Sequence, residues 1–245
     1  MNRKIILLLF SMFLCCTVVC AQEALKSSLQ QQAESEDAKG SVASARYLFI
    51  KAFDDYAGSG KMEQGVACGT RAVALYYKEN YYREAFDLLR RIDQAITSST
   101  DQSLDKYALH YQVTKERFQM YMKLRKGASA ADQLRIMESH ASSSGQESVK
   151  NDLLYNKAIY YYTFGQTERG NAVFKEMAAK LTANGDYARV EEVYQTLIDN
   201  GRRSNNANML AQSYSSYIVW KDSVAALQHA QEVDSLIRKE GQRVP

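Results

Sequence analysis

Four stretches of the 245-residue chain share one spacing, and that spacing restricts what the chain can fold into. A large residue is followed by a turn about four positions on, a small residue nine positions on, and then bulky ones. Tyr76 is followed by Asn80, Ala85 and Leu89, and Tyr121 by Gly127, Ala130, Leu134 and Met137. Tyr161 is followed by Gly165, Gly170, Phe174 and Met177, and Tyr217 by Lys221, Ala226, Ala230 and Val233. In the first stretch Tyr82, Ala85, Leu89 and Ile92 recur at intervals of three and four, which is the period of an amphipathic helix. Two antiparallel helices joined by a tight turn satisfy the pattern. The small residue lets the helices approach closely, and the bulky residue four positions later fills the space between them.

Composition permits a chain made only of such units. The single proline is Pro245 and there are 12 glycines, so helix can follow helix without a forced break. A hydrophobic content of 46% is ample for a buried core. Most of the 17 tyrosines fall on the apolar stripes, where they read as core residues whose hydroxyls reach the surface. From Val42 to Tyr56 a helix with Ala45, Phe49, Ala52 and Phe53 on one face begins the packed body. The spacing predicts further helices at about 62–79, 81–97, 103–125, 129–141, 150–164, 167–183, 186–199, 204–220 and 223–240. Asp222 or Ser223 would cap the last of these.

This grammar resembles the tetratricopeptide repeat, whose unit is about 34 residues. Tyr76 to Tyr121 is 45 positions and Tyr121 to Tyr161 is 40, so the units here are longer than the family's. Of Phe118, Ala158 and Tyr214, which stand where the family prefers a small residue, only Ala158 obeys. The resemblance implies an all-α, right-handed superhelical solenoid of antiparallel helix pairs, with a concave surface that binds a protein or peptide. That surface would be lined by the first helix of each pair. Carried over by position, it comprises Thr70, Ala74 and Tyr77; Lys115, Gln119 and Met122; Tyr155, Ile159 and Tyr162; and Asn208, Ser215 and Ile218. Tyr77, Met122, Tyr162 and Ile218 would form an apolar rail, and the alternative for each is burial inside its helix pair. The turn Asn184, Gly185, Asp186, Tyr187 fits the same grammar, although the helix before it already closes the Tyr161 unit, so one repeat in the second half is irregular.

The chain divides into residues 1–21, 22–60 as an N-terminal helical cap, 61–240 as the repeat region, and 241–245 as a tail. Residues 1–21 have a basic start at Arg3 and Lys4, an apolar run from Ile5 to Val19, and Ala21 before a polar stretch, which reads as a secretory signal peptide cleaved after Ala21. Acylation of Cys20 is the rival reading. The expected location is periplasmic or secreted, with membrane contact only through a lipid on Cys20 or through a continuation of the chain downstream. Cys15, Cys16 and Cys20 leave with the signal. Cys68, among small residues, then reads as a buried small hydrophobe.

The formal net charge is +3, and removal of Arg3 and Lys4 leaves about +1, too little to hold a nucleic acid. Arg90/Arg91 and Arg202/Arg203 read as solvated faces. Gly58, Ser59, Gly60, Lys61 suggests a phosphate-binding loop, but Asp55 stands where its first glycine should be and Met62 where a Ser or Thr would ligate magnesium. His110, His140 and His229 have no second ligand at metal spacing, so no metal site is expected. Asp54, Asp55, Asp152, Glu191 and Glu192 read as surface or end-of-helix charges. No nucleophile elbow or dinucleotide fingerprint appears, and neither catalytic residues nor a cofactor are expected. Three functions compete. The first is a periplasmic scaffold. The second is the extracytoplasmic sensor region of a membrane-bound two-component kinase or transcriptional regulator, which the segment Tyr217–Glu240 resembles, with Lys221, Asp222 and Ser223 opening a long helix. The third is an enzyme with an unrecognised site.

Overall fold

A computed structural model of the chain describes residues 26–203, 205 and 207–241. The expected signal peptide, with Cys15, Cys16 and Cys20, lies outside the described residues. Ten helices follow one another there, with no strand among the described residues. They are α1 (Ser28–Ala38), α2 (Val42–Gly58), α3 (Met62–Lys78), α4 (Tyr82–Ser98), α5 (Lys106–Lys123), α6 (Gly127–Ser143), α7 (Glu147–Thr163), α8 (Thr167–Ala183), α9 (Tyr187–Arg203) and α10 (Ala207–Gly241). Consecutive helices pack in pairs, and α3 also touches α5. Two compact units result, one ending at Leu153 and the other beginning at Leu154.

Three-residue turns carry the pattern. The central residue of seven of them is left-handed: Gly40, Gly60, Asn80, Arg125, Gly165, Gly185 and Asn205, with φ between 50° and 79°. Gly and Asn enter this region at least cost, which explains six of the seven turns by residue type alone and leaves Arg125 as the exception. At Asn80 the Tyr81 amide reaches back to the Tyr76 carbonyl at 2.9 Å and the Asn80 amide to Tyr77 at 3.2 Å; Lys126 and Gln166 repeat the long bond to Tyr121 and Tyr161. The end of each helix is thereby satisfied by the turn itself. The tyrosine that opens each of the first three sequence units, Tyr76, Tyr121 and Tyr161, is the residue whose carbonyl closes the helix. Side-chain caps are needed where this turn is missing: Asp105 accepts from the Ala108 amide at 3.0 Å after the longer connection from Ser99, and Ser27 caps α1.

In α2, α3, α4, α6 and α8 the small residue three places in, Ala45, Gly65, Ala85, Ala130 and Gly170, is buried where helices meet. Ala45, Ala85 and Ala130 are wholly buried, and a Cβ on Gly65 would lie 3.4 Å from the Phe53 carbonyl oxygen. Around these contacts the first unit buries Phe49, Phe53, Tyr56, Val66, Val73, Leu89, Ile92 and Ile96. The second buries Leu154, Ala158, Phe174, Leu181, Val190, Val193, Leu197 and Met209. Tyr56 behaves as expected of a core tyrosine: its ring is buried while its hydroxyl donates to Gln30 Oε1 at 2.7 Å and accepts from the Ser27 amide at 2.6 Å, tying α1 to α2. Cys68 is buried, and desolvation followed by the nearby Glu34 charge pushes its thiol up to about 11.

Two expectations are corrected. Helices expected at 204–220 and 223–240 are one continuous helix, α10. Lys221, Asp222 and Ser223 lie in its interior and neither open nor cap a helix; the Ser223 hydroxyl donates to the Val219 carbonyl at 2.7 Å, one turn back. The reason is local: this stretch offers no Gly or Asn for a left-handed turn, and a Lys there would cost about 1–2 kcal/mol. The conflict over pairing in the second half also resolves. From α6 on, helices begin every twenty residues, at Gly127, Glu147, Thr167, Tyr187 and Ala207, so that α8 has neighbours in both α7 and α9.

Candidate functional site

The twelve surface residues inferred from the repeat pattern fall into two groups, one in each unit. In the first unit, Thr70, Ala74 and Tyr77 on α3 and Lys115, Gln119 and Met122 on α5 are all half-buried. The α3–α5 contact closes over them. The Tyr77 hydroxyl donates to Gln119 Oε1 at 2.9 Å, and the Thr70 hydroxyl donates to the Val66 carbonyl. Lys115 Nζ meets Asp152 Oδ1 at 2.7 Å, and the Tyr111 hydroxyl donates to the other oxygen of that carboxylate at 2.7 Å. Tyr77 and Gln119 bond each other, Thr70 bonds its own helix, and Lys115 bonds Asp152 of α7.

Beneath this contact lies Glu116, whose Oε2 is buried without a hydrogen-bond partner. Desolvation pushes its carboxyl up to about 7 against the opposing pull of Lys115, the Tyr77 hydroxyl and Arg71. Tyr77 is raised in turn, first by burial and then by the Glu116 charge. The environment favours a neutral carboxyl.

A second cluster in this unit joins residues far apart in sequence. Asp93 of α4 sits 2.9 Å from His110 Nδ1 and also accepts from Arg117, both on α5; the His140 ring of α6 stacks on His110 at 5.6 Å. Burial raises Asp93, but the His110 and Arg117 hydrogen bonds and charges outweigh it and hold the carboxyl low. Burial and the neighbouring His110 depress His140. Separations of 17 and 30 residues hid this grouping from a search for short ligand motifs. The Asp93 oxygens are already engaged by a ring nitrogen and a guanidinium, and no metal-binding group of three or more such residues occurs among the described residues.

The second unit is different. Tyr155, Ile159 and Tyr162 are half-buried against its core, whereas Asn208, Ser215 and Ile218 are exposed. Tyr162 stacks on Phe174 with centroids 5.7 Å apart, and its hydroxyl donates to Asn171 Oδ1. Asn171 Nδ2 then donates across to Gln212 Oε1 of α10 at 2.9 Å. Alongside this bridge α8, α9 and α10 enclose a groove of about 490 Å³. Its floor is Phe174, Tyr194 and Leu197. Its rim is Glu168, Asn171 and Lys175 of α8 facing Gln212, Ser215 and Ser216 of α10. Glu168 and Lys175 lie seven residues apart on one helix face, about 10 Å along the axis. Neither makes an ion pair among the described residues. Gly170 makes the Tyr162 seat possible, because a Cβ there would lie 2.9 Å from the Tyr162 ring.

A comparable hollow of about 510 Å³ in the first unit lies between α1 and α3 over Phe49. Its charges are consumed internally: Arg71 Nε donates to Asp37 at 3.0 Å and Lys26 pairs with Glu34 at 2.7 Å. Of the other candidate carboxylates, Asp54 holds Arg91 and Glu191 accepts from the Tyr217 hydroxyl. The α8–α10 groove is therefore the site with apolar floor and uncommitted charge together. Of the twelve inferred residues only Ser215 lines it directly, and Tyr162 braces it. No helix among the described residues is long and apolar enough to cross a membrane. No protein-family model matches the chain, and no curated protein matches it.

Proposed function

We propose that the chain is an exported, tetratricopeptide-like scaffold, a right-handed superhelical solenoid that binds a protein or peptide segment, and that the α8–α10 groove holds that segment. The observation that carries the reading is the groove itself. Phe174, Tyr194 and Leu197 offer an apolar floor, while Glu168 and Lys175 stand on its rim without ion pairs among the described residues. Exposed opposite charges flanking an aromatic floor suit a chain segment that presents one apolar side chain between polar groups. The Asn171–Gln212 bridge fixes the distance between the two walls in advance of binding.

Filling the groove tests this. Ala172→Trp and Ser215→Trp start from exposed positions, so helicity and melting should be unchanged. Both variants should lose at least tenfold in affinity for a partner captured by the wild-type protein. Ile218→Trp, which enlarges an exposed residue of α10 outside the groove lining, should keep it. Equal binding by all four proteins would overturn the assignment. Export is tested separately by sequencing the amino terminus of protein recovered from the periplasm, where residue 22 is expected and Met1 would contradict the reading.

A further inference from the structure

The first half of α10 is packed: Met209, Ser213 and Val224 are buried, and the Trp220 indole Nε1 donates to the Thr182 hydroxyl at 3.0 Å. From Ala225 to Lys239 every residue is exposed. An isolated stretch of helix in water has little stability of its own, because packing of an apolar face supplies most of what holds a helix. Here the face is present. Val219, Ser223, Ala226, Ala230, Val233 and Ile237 follow one another at spacings of four, three, four, three and four. Val219 and Ile237 are each 64% exposed, and Leu227 and Leu236 flank the row. At 3.6 residues per turn the row lies roughly 120° around the helix from Ser213 and Val224. It runs on the side of Gln212 and Ser216, which face α8 across the groove, and continues that side toward the carboxyl end, where every residue from Ala225 to Lys239 is exposed.

We propose that this row pairs in parallel with the same row of a second copy of the chain, forming a short two-stranded coiled coil. The strict three-four spacing is what keeps a seam facing a partner helix along its length, and the occupant it selects is another helix with the same repeat. Ala226, Ala230 and Ser223 are small enough for close approach. Orientation follows from the flanking residues. In a parallel, in-register pair the imidazole of His229 on one copy faces the carboxylate of Asp234 on the other, twice by symmetry. The seam covers two to three heptads, so association is weak and depends on concentration.

Sedimentation equilibrium of the purified protein should show a mass rising from one chain toward two with concentration. Ile237→Asp should abolish the rise, while Gln228→Asp on the opposite side of the helix should leave it intact; helicity should be unchanged in both. Oxidation of Ala226→Cys protein should join copies through the introduced thiols, read by mass spectrometry of the linked peptide. Ala172→Trp should leave self-association unaltered, which separates this proposal from the groove. A single-chain mass at every concentration, a dimer that survives Ile237→Asp, or a dimer that does not link at position 226 would each overturn it.

Discussion

A left-handed backbone position and a helical one lie two residues apart at Gly58 and Gly60, and they should respond in opposite directions to the same methyl group. A Cβ at either meets nothing within 4 Å, so only backbone energetics decide. Gly60 has φ of 75°. Gly60→Ala should destabilise the protein by about 1–2 kcal/mol, whereas Gly58→Ala should be neutral or stabilise by up to about 1 kcal/mol, as read by urea unfolding. Glu116 supplies a pH-dependent counterpart. Its carboxyl is raised from the ordinary 4.5 to about 7, so the folded state binds more protons than the unfolded state between those values. Stability should fall as pH rises from about 4.5 to about 7, by roughly 2–3 kcal/mol in total. Glu116→Gln should remove that slope from the unfolding free energy measured across the same window. An unchanged slope would mean that Oε2 finds a partner in solution. Glu116 could not have been chosen by sequence alone: it stands as one more charge on an amphipathic helix, and helix packing is what buries it.

At the scale of elements, the helices and turns were legible because each turn carries its own chemistry. Asn80, Gly165 and Gly185 mark left-handed positions by residue type, and the small residue in the next helix marks the close approach. Where that chemistry is absent the reading failed, as at Lys221, where a break was expected inside α10. Contacts across long separations were not legible either. Asp93, His110 and His140 come together because α4, α5 and α6 stack, and no local spacing encodes the stack. Asp93→Asn should cost about 2 kcal/mol at pH 7, since it leaves partly buried Arg117 and His110 without their acceptor. That difference should shrink as the pH drops through the carboxyl's lowered folded value, where the wild-type loses the same interaction. Gly170→Ala tests the other cluster. Its added methyl collides with the Tyr162 ring, and the loss of packing there should exceed the approximately 1 kcal/mol that Ala contributes in a helix. A lower melting temperature and weaker partner binding are expected together.

For the molecule as a whole, the residues inferred from the repeat grammar are half-buried on α3 and α5 in the first unit, while in the second those on α7 are half-buried and those on α10 are exposed. Thr70, Ala74 and Tyr77 lie on α3 and Lys115, Gln119 and Met122 on α5, which touch each other, and the Tyr77 hydroxyl donates to Gln119 across that contact. In the second unit α10 lies beside α8 through the Asn171–Gln212 hydrogen bond, with Asn208, Ser215 and Ile218 exposed on it. A single residue of that set, Ser215, reaches the groove. The groove is then the central claim, and its most direct test is positional. A photo-reactive amino acid placed at Ser215, and separately at Tyr77 and Ile218, should cross-link the bound partner from position 215, with the linked peptide of the partner carrying its apolar residue. Cross-linking from Tyr77 or Ile218 with none from position 215 would contradict the account and return the binding surface to the rail inferred from the repeat pattern.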